Sequence, residues 1–225
     1  MIRQVPNLLT SLNLVCGAAG IINVFQGDYT NTIFFILLCG VFDFFDGFAA
    51  RLLKVSEPFG KELDSLADMV SFGILPALYL YQLSEGLGNE QWVSYSALLV
   101  AAFSGIRLAK FNLDDQQSDK FIGLPTPANA ILLTTFAQLP IHLIPSQGLI
   151  LATSLISAIL LIAPVEMLAL KFKNFDFKTN VFRYLLIVVA VALVVLTGWL
   201  ALPLLIPVYI FLSFIAFLAK KSAQG

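Results

Sequence analysis

Long apolar runs separated by short polar breaks make up almost the whole chain. Each run is close to the roughly 20 residues that a helix needs to cross the hydrocarbon core of a bilayer. The pattern predicts an all-α polytopic membrane helical bundle of about eight transmembrane helices. We place these spans at 7–26, 31–53, 59–83, 92–112, 125–140, 148–170, 181–198 and 201–219. Six spans with re-entrant segments between them is the alternative.

The composition supports a membrane protein and excludes an ordinary soluble domain. Only 12% of the 225 residues are charged, and the mean hydropathy is +0.89. No internal repeat or linker divides the chain, so residues 1–225 are interpreted as a single domain surrounded by membrane lipids. The formal net charge of −1 offers no basic surface for nucleic acid.

The basic residues are distributed asymmetrically. With eight spans, all 13 lysines and arginines fall on the side that carries both termini and the loops after spans two, four and six. The other side carries Asp28, Glu85 and Glu90. By the positive-inside rule, both termini are cytoplasmic, and the protein is predicted to lie in the cytoplasmic membrane of the cell.

Four aspartates occur within 26 residues of this apolar chain. Asp43 and Asp46 are three residues apart, and Asp64 and Asp68 are four apart, so each pair shares one face of a helix. Pro58 lies in the polar break between the two pairs. The sequence therefore predicts two antiparallel helices that direct two pairs of carboxylates towards each other, at the cytoplasmic face.

Such a cluster needs a compensating charge. One ionised side chain in the middle of a membrane helix costs at least about 2.5–3.5 kcal/mol on insertion scales. Divalent cations would remove this penalty, and carboxylate oxygens suit Mg²⁺, Mn²⁺ or Ca²⁺. Gly47 and Gly60 leave room for a bulky ligand, and Arg51 is suited to hold a phosphate oxygen.

These residues form the pattern D-x2-D-G-x2-A-R-x8-G-x3-D-x3-D. Its fixed positions are filled by Asp43, Asp46, Gly47, Ala50, Arg51, Gly60, Asp64 and Asp68. The pattern resembles the signature of the CDP-alcohol phosphatidyltransferases. The resemblance implies a membrane enzyme that moves a phosphatidyl group from CDP-diacylglycerol to an alcohol and releases CMP.

The resemblance also implies roles for these residues. Asp43, Asp46, Asp64 and Asp68 are expected to hold two Mg²⁺ or Mn²⁺ ions, with Ca²⁺ as a non-productive occupant. Asp68 is the expected catalytic base. The expected binding site for the CDP-lipid donor consists of Gly47, Ala50, Arg51, Gly60, Asn7, Thr10 and Asn13.

The last three of these residues share one face of the first helix, at positions i, i+3 and i+6. Two interpretations stay open for Asn7, Thr10 and Asn13. They either make hydrogen bonds between helices or line the nucleotide site.

Three later stretches, 68–76, 107–112 and 121–130, resemble the phosphatidylserine synthase branch of that family. They imply L-serine as the acceptor, bound by Arg107, Lys110, Asn112, Gly123, Pro125 and Thr126. Asn129 departs from the branch, where alanine is expected. Glycerol 3-phosphate and inositol phosphate are the alternative acceptors. The basic residues could instead be membrane anchors, and the Gly123–Pro125 segment a rigid helix entry.

Two further interpretations remain. Glu166, near the end of the sixth predicted span, is either functional or paired with Lys171 and Lys173.

A divalent-cation transporter would also need acids within the membrane, but it would need them along the whole path across it. The outer acids all lie in loops, which favours the transferase. A homodimer is expected.

Overall fold

The computed structural model describes residues 4–55, 57–113, 121–135, 146–168 and 176–222, and helices form most of these segments. The helices are α1 (Val5–Phe25), α2 (Thr32–Leu53), α3 (Pro58–Asp68), a π-helix (Met69–Ile74), α4 (Leu75–Gly86), α5 (Gln91–Ser96), α6 (Leu98–Leu113), α7 (Thr126–Thr134), α8 (Gln147–Ile162), α9 (Phe177–Thr197), a 3₁₀ turn (Gly198–Leu200) and α10 (Ala201–Ser222). Two short strands, β1 (Phe121–Ile122) and β2 (Glu166–Met167), pair antiparallel. The predicted all-α class is confirmed.

Six helical stretches of the described chain are long and apolar enough to cross a membrane, so this is an integral membrane protein. They are Val5–Phe25, Thr32–Leu53, Pro58–Gly86, Gln91–Leu113, Asn180–Thr197 and Ala201–Ala219. Helix α8 is apolar but has only 16 residues. The described part of the fifth predicted span is the nine-residue α7, and residues 136–140 lie outside the described segments. The count of eight spans and the cytoplasmic termini stay predictions.

The predicted sixth span, 148–170, is too long. Helix α8 ends at Ile162 because Pro164 follows, and the residue before a proline is disfavoured in helical conformation. Ala163 is accordingly extended, with φ −58° and ψ 137°. Glu166 therefore lies in β2 opposite Ile122, not near the end of a helix as the sequence suggested.

The turn between α2 and α3 makes the two aspartate-bearing helices antiparallel. Helix α2 ends with Lys54 in the left-handed conformation, at φ 53° and ψ 41°. The Val55 amide then donates to the Ala50 carbonyl at 3.0 Å. Pro58 begins α3, where its fixed φ suits a first helical turn and its missing N–H is not needed. The break predicted around Pro58 is confirmed.

Helix α1 packs along α2 and against α3, the π-helix and α4. The approach to the π-helix is close, because a Cβ on Gly17 would lie 2.6 Å from the Ser71 hydroxyl oxygen. Phe72, Leu75 and Tyr79 fill the fully buried core beside this contact. The polar face of α1 is therefore held directly against the aspartate-bearing helices.

Candidate active site

Three of the four aspartates come together between α2 and α3. Asp43, Asp64 and Asp68 each offer one carboxylate oxygen, and these oxygens all lie within 4.8 Å of one another. The convergence follows from helical spacing, since Asp64 and Asp68 are one turn apart on α3 and face the turn of α2 that carries Asp43. The prediction that the two helices direct carboxylates towards each other holds for these three residues.

Asp46 is held differently. It is only 5% exposed, and its Oδ2 atom lies 2.6 Å from the hydroxyl oxygen of Thr10 on α1. The same hydroxyl lies 3.0 Å from the Pro6 carbonyl, but it has a single proton, and a carboxylate is the stronger acceptor. Thr10 thus fixes the orientation of the Asp46 carboxylate.

Asn13 connects α1 to the other end of the cluster. Its side-chain Nδ2 donates to Asp68 Oδ1 at 3.3 Å, while its Oδ1 accepts a 2.6 Å hydrogen bond from the Ser71 hydroxyl. Because an ionised Asp68 carboxylate can only accept hydrogen bonds, the amide NH₂ group of Asn13 faces Asp68, and the Ser71 hydroxyl donates to the amide oxygen. Sequence analysis missed Ser71, although a serine three residues after Asp68 in an apolar run is a usable signal.

The polar face of α1 therefore makes hydrogen bonds between helices at Thr10 and Asn13. Asn7 and Thr10 both line a cavity of about 220 Å³, together with Gly47, Gly60 and Asp64. A Cβ on Gly60 would lie 3.2 Å from Asn7 Oδ1, so a larger residue at position 60 would narrow this cavity. Arg51 is exposed, and its Nη1 atom lies 4.0 Å from where a Cβ on Gly47 would be.

The residues present fit a divalent cation. Asp64 Oδ1 is buried and has no hydrogen-bond partner in the part of the chain that the structure describes. An unpartnered, partly buried carboxylate beside two others is costly unless a cation compensates it. The donor set consists of hard carboxylate oxygens, which suit Mg²⁺, Mn²⁺ or Ca²⁺.

Arg107 on α6 marks a second cavity, of about 480 Å³. Lys110, Ile122, Leu161 and Pro164 also line it. Arg107 Nη1 donates to the Thr126 hydroxyl at 3.4 Å, while its Nε is buried without a partner among the described residues. The guanidinium is within electrostatic range of Asp68. Arg107 thus links the second cavity electrostatically to the carboxylate cluster.

The other predicted acceptor residues have different surroundings. Gly123 has φ +76°, and a Cβ there would overlap the Leu161 carbonyl oxygen. Pro125 precedes the first residue of α7. Asn112 connects α6 to α3. Its side-chain Nδ2 donates to the Ser65 hydroxyl at 2.8 Å, and its backbone carbonyl accepts a hydrogen bond from Lys61 Nζ at 2.7 Å.

Asn129, which departs from the expected alanine, is fully buried on α7. Neither polar atom of its side chain has a hydrogen-bond partner among the described residues.

The match to known protein families is decisive for the class of protein. The model of the CDP-alcohol phosphatidyltransferase family matches residues 3–166. This chain belongs to the CDP-alcohol phosphatidyltransferase family. That membership favours the transferase over the cation transporter, and members of the family depend on divalent metal ions. The described acidic cluster lies inside the matched region.

Several relatives have more specific names. The chain is 33% identical over 144 residues to the CDP-diacylglycerol–serine O-phosphatidyltransferase of Bacillus subtilis, covering 63% of this chain and 80% of that protein. It is 36% identical over 138 residues to the enzyme of the same name from Methanocaldococcus jannaschii, covering 61% and 62%. It is 31% identical over 134 residues to the archaetidylserine synthase of Methanothermobacter thermautotrophicus, covering 58% and 56%. The match spans less than two thirds of the length of each archaeal relative.

Proposed function

We propose that this chain transfers the phosphatidyl group of CDP-diacylglycerol to L-serine, giving phosphatidylserine and CMP. The observation that carries the proposal is the convergence of the Asp43, Asp64 and Asp68 oxygens within 4.8 Å. Asp64 also lines the cavity that contains the family signature, and Asp68 is within electrostatic range of Arg107, which lines the second cavity. One cavity would take the donor and the other the acceptor. The names of the relatives support serine as that acceptor.

The first cavity fits the head of the donor. Gly47, Ala50 and Gly60 leave space beside the carboxylates, and the exposed Arg51 at the end of α2 can pair with a phosphate oxygen. The donor's lipid chains would stay in the bilayer while its diphosphate reaches the cluster.

Asp43, Asp64 and Asp68, with Asp46 as a fourth ligand, would hold two Mg²⁺ or Mn²⁺ ions. Bound there, the ions would neutralise the donor diphosphate and the charge on the departing CMP. The chain's own residues keep the carboxylates in place: Thr10 orients Asp46, and Asn13 orients Asp68.

Asp68 is the proposed base. It would take the proton of the serine hydroxyl as the serine oxygen forms a bond to the β-phosphorus of the donor. The bond between that phosphorus and the oxygen of CMP breaks in the same transfer, so CMP leaves with the electron pair. Among the described residues, the hydrogen bond to Asp68 comes from Asn13 and goes to Oδ1, which leaves Oδ2 for the proton.

Arg107 is the proposed anchor for the serine carboxylate. A guanidinium presents its donors in a planar fork that matches two carboxylate oxygens. The buried Nε of Arg107 without a described partner and the weak 3.4 Å bond to Thr126 leave donors for a ligand. Lys110 on the next turn of α6 lines the same cavity and adds positive charge.

Replacing Arg107 should selectively impair serine binding. Arg107→Ala and Arg107→Lys should both raise the KM for serine by about ten- to a hundredfold, the scale of a lost hydrogen bond to a charged group. The KM for CDP-diacylglycerol should change much less. Steady-state kinetics with each substrate varied in turn would measure both effects.

The lysine variant separates substrate binding from membrane anchoring. Lysine keeps the positive charge that the positive-inside rule counts, but it loses the planar fork. An Arg107→Lys enzyme with an unchanged KM for serine would show that Arg107 is only an anchor.

An acceptor screen tests the function itself. Purified protein would receive CDP-diacylglycerol, Mg²⁺ or Mn²⁺, and one of four acceptors: L-serine, glycerol 3-phosphate, inositol or inositol phosphate. We expect CMP release with L-serine, and no release when a chelator removes the metal. Release with glycerol 3-phosphate alone would reject the serine assignment and leave the family intact.

The membrane face of the active site, the oligomeric state and the metal preference are part of the same proposal. The active site is assigned to the cytoplasmic face, because all 13 basic residues fall on that side of the predicted topology. Labelling of single cysteines placed near either terminus of the chain, in intact cells, would check the assignment. The homodimer and the preference for Mg²⁺ or Mn²⁺ over Ca²⁺ stay predictions, to be checked by mass measurement in lipid discs and by metal titration.

A further inference from the structure

Helix α10 holds the backbone of Leu168 at both of its polar groups. The Tyr209 hydroxyl donates to the Leu168 carbonyl at 3.1 Å, and the Leu168 amide donates to the Ser213 hydroxyl at 3.2 Å. Tyr209 and Ser213 are four residues apart, so one face of α10 makes both bonds. Ser213 is fully buried. We call these two hydrogen bonds to Leu168 the clamp. The family match ends at residue 166, so the residues of the clamp lie outside it.

Leu168 directly follows β2, and β2 in turn contacts the segment that leads to the second cavity. The β2 strand pairs with β1 through Ile122 and Glu166. Beside that pair, the Gly123 amide donates to the Val165 carbonyl at 3.0 Å, and the Leu124 amide donates to the Leu160 carbonyl at 2.8 Å. The segment from β1 to α7 is thus bound along its length to the segment that α10 holds.

The paired segments also contribute to the lining of the second cavity. Ile122 of β1 and Pro164, which lies two residues before β2, line it together with Arg107. Thr126, at the end of the same segment, accepts the hydrogen bond from Arg107. Tyr209 is itself within electrostatic range of the guanidinium. A contiguous series of contacts therefore leads from α10 to the side chain proposed to hold the acceptor.

We propose that Tyr209 and Ser213 are positioning residues for the acceptor half of the active site. By holding Leu168 they keep β2, β1 and the Gly123–Thr126 segment at the distance from Arg107 that binds the acceptor. The proposal rests on the function proposed above only in taking the second cavity as the acceptor site. It adds a role for α10 that the family match does not cover.

The alternative is that the clamp only joins helices and adds general stability. In that case, its loss would lower the thermal midpoint and affect both substrates alike. A positioning role predicts a different result. Tyr209→Phe, which removes one hydroxyl, should raise the KM for the acceptor by about two- to tenfold, the scale of one hydrogen bond, with kcat and the KM for CDP-diacylglycerol within about twofold of the original.

Matched variants sharpen the test. Ser213→Ala should reproduce the effect of Tyr209→Phe, and Ser213→Thr, which keeps the hydroxyl, should restore the original KM. Tyr95→Phe is the control: it removes a phenolic hydroxyl from an exposed side chain on α5. That hydroxyl accepts a 3.5 Å hydrogen bond from Gln91, and the ring, which the variant keeps, lies 5.5 Å from the ring of Tyr81. This variant should leave both KM values unchanged.

Hydrogen–deuterium exchange in lipid discs gives a readout that does not depend on activity. In Tyr209→Phe, the Gly123 and Leu124 amides should exchange faster, while the core of α1 and α2 should not change. Unchanged exchange at these amides, or equal rises in both KM values, overturns the proposal. The kinetics use whichever acceptor the unmodified enzyme takes, so inactivity with serine would count against the proposed function and not against the clamp.

Discussion

Asp64→Ala is expected to abolish CMP release and to weaken the binding of Mn²⁺. Asp64 contributes one of three converging carboxylates, and its buried Oδ1 has no hydrogen-bond partner among the described residues. Metal ions supply several kcal/mol of transition-state stabilisation, so losing a ligand should lower turnover by at least about 10³-fold. Turnover is measured as CMP released, and metal binding as the free Mn²⁺ signal in paramagnetic resonance.

The matched control for Asp64→Ala is Glu62→Gln. Glu62 is an exposed acid on the same helix, two residues before Asp64, and its replacement should leave turnover and Mn²⁺ binding unchanged. Asp64→Ala should also insert and fold, because it removes a charge that is costly without a cation. Normal Mn²⁺ binding by a folded Asp64→Ala protein would contradict the metal site.

Asp68→Asn should keep donor binding and lose the chemical step. Asparagine has the same shape as aspartate, and its side-chain oxygen can still accept the hydrogen bond from Asn13. It has no carboxylate to take the proton of the serine hydroxyl. We expect kcat to fall by at least about 10²-fold, the scale of removing a general base, and the dissociation constant for CDP-diacylglycerol to change much less.

Donor binding can be measured by titrating the purified variant in lipid discs with CDP-diacylglycerol. Loss of binding together with loss of turnover would show that Asp68 acts mainly as a ligand for the donor site. A kcat close to that of the unmodified enzyme would assign the base to another residue.

The carboxylate cluster could be predicted from sequence because its determinants are local. Spacings of three and four residues place the aspartates on helix faces, and Pro58 marks the turn between the helices. The sequence could not predict that Thr10 pairs with Asp46 or that Asn13 pairs with Ser71. These pairings depend on the register of α1 against α2 and the π-helix, where Gly17 packs against Ser71 and Gly20 packs against Phe35.

The region around residues 160–168 shows where sequence reasoning failed. The apolar run continues past Pro164, and this hydrophobicity predicted a span that reaches residue 170. The proline was the better signal, because helices usually end before one. Two strands of only two residues each leave no periodic pattern to detect. The bonds from Leu168 to α10 join residues more than forty positions apart, so only the tertiary structure reveals them.

The most direct test of the central claim uses L-serine with an oxygen isotope label in its side-chain hydroxyl. Purified enzyme, CDP-diacylglycerol and Mn²⁺ would be incubated with this serine, and both products weighed by mass spectrometry. If the serine hydroxyl attacks the β-phosphorus, phosphatidylserine carries the label and CMP does not. Unlabelled phosphatidylserine, label in CMP, or no phosphatidylserine at all would contradict the account.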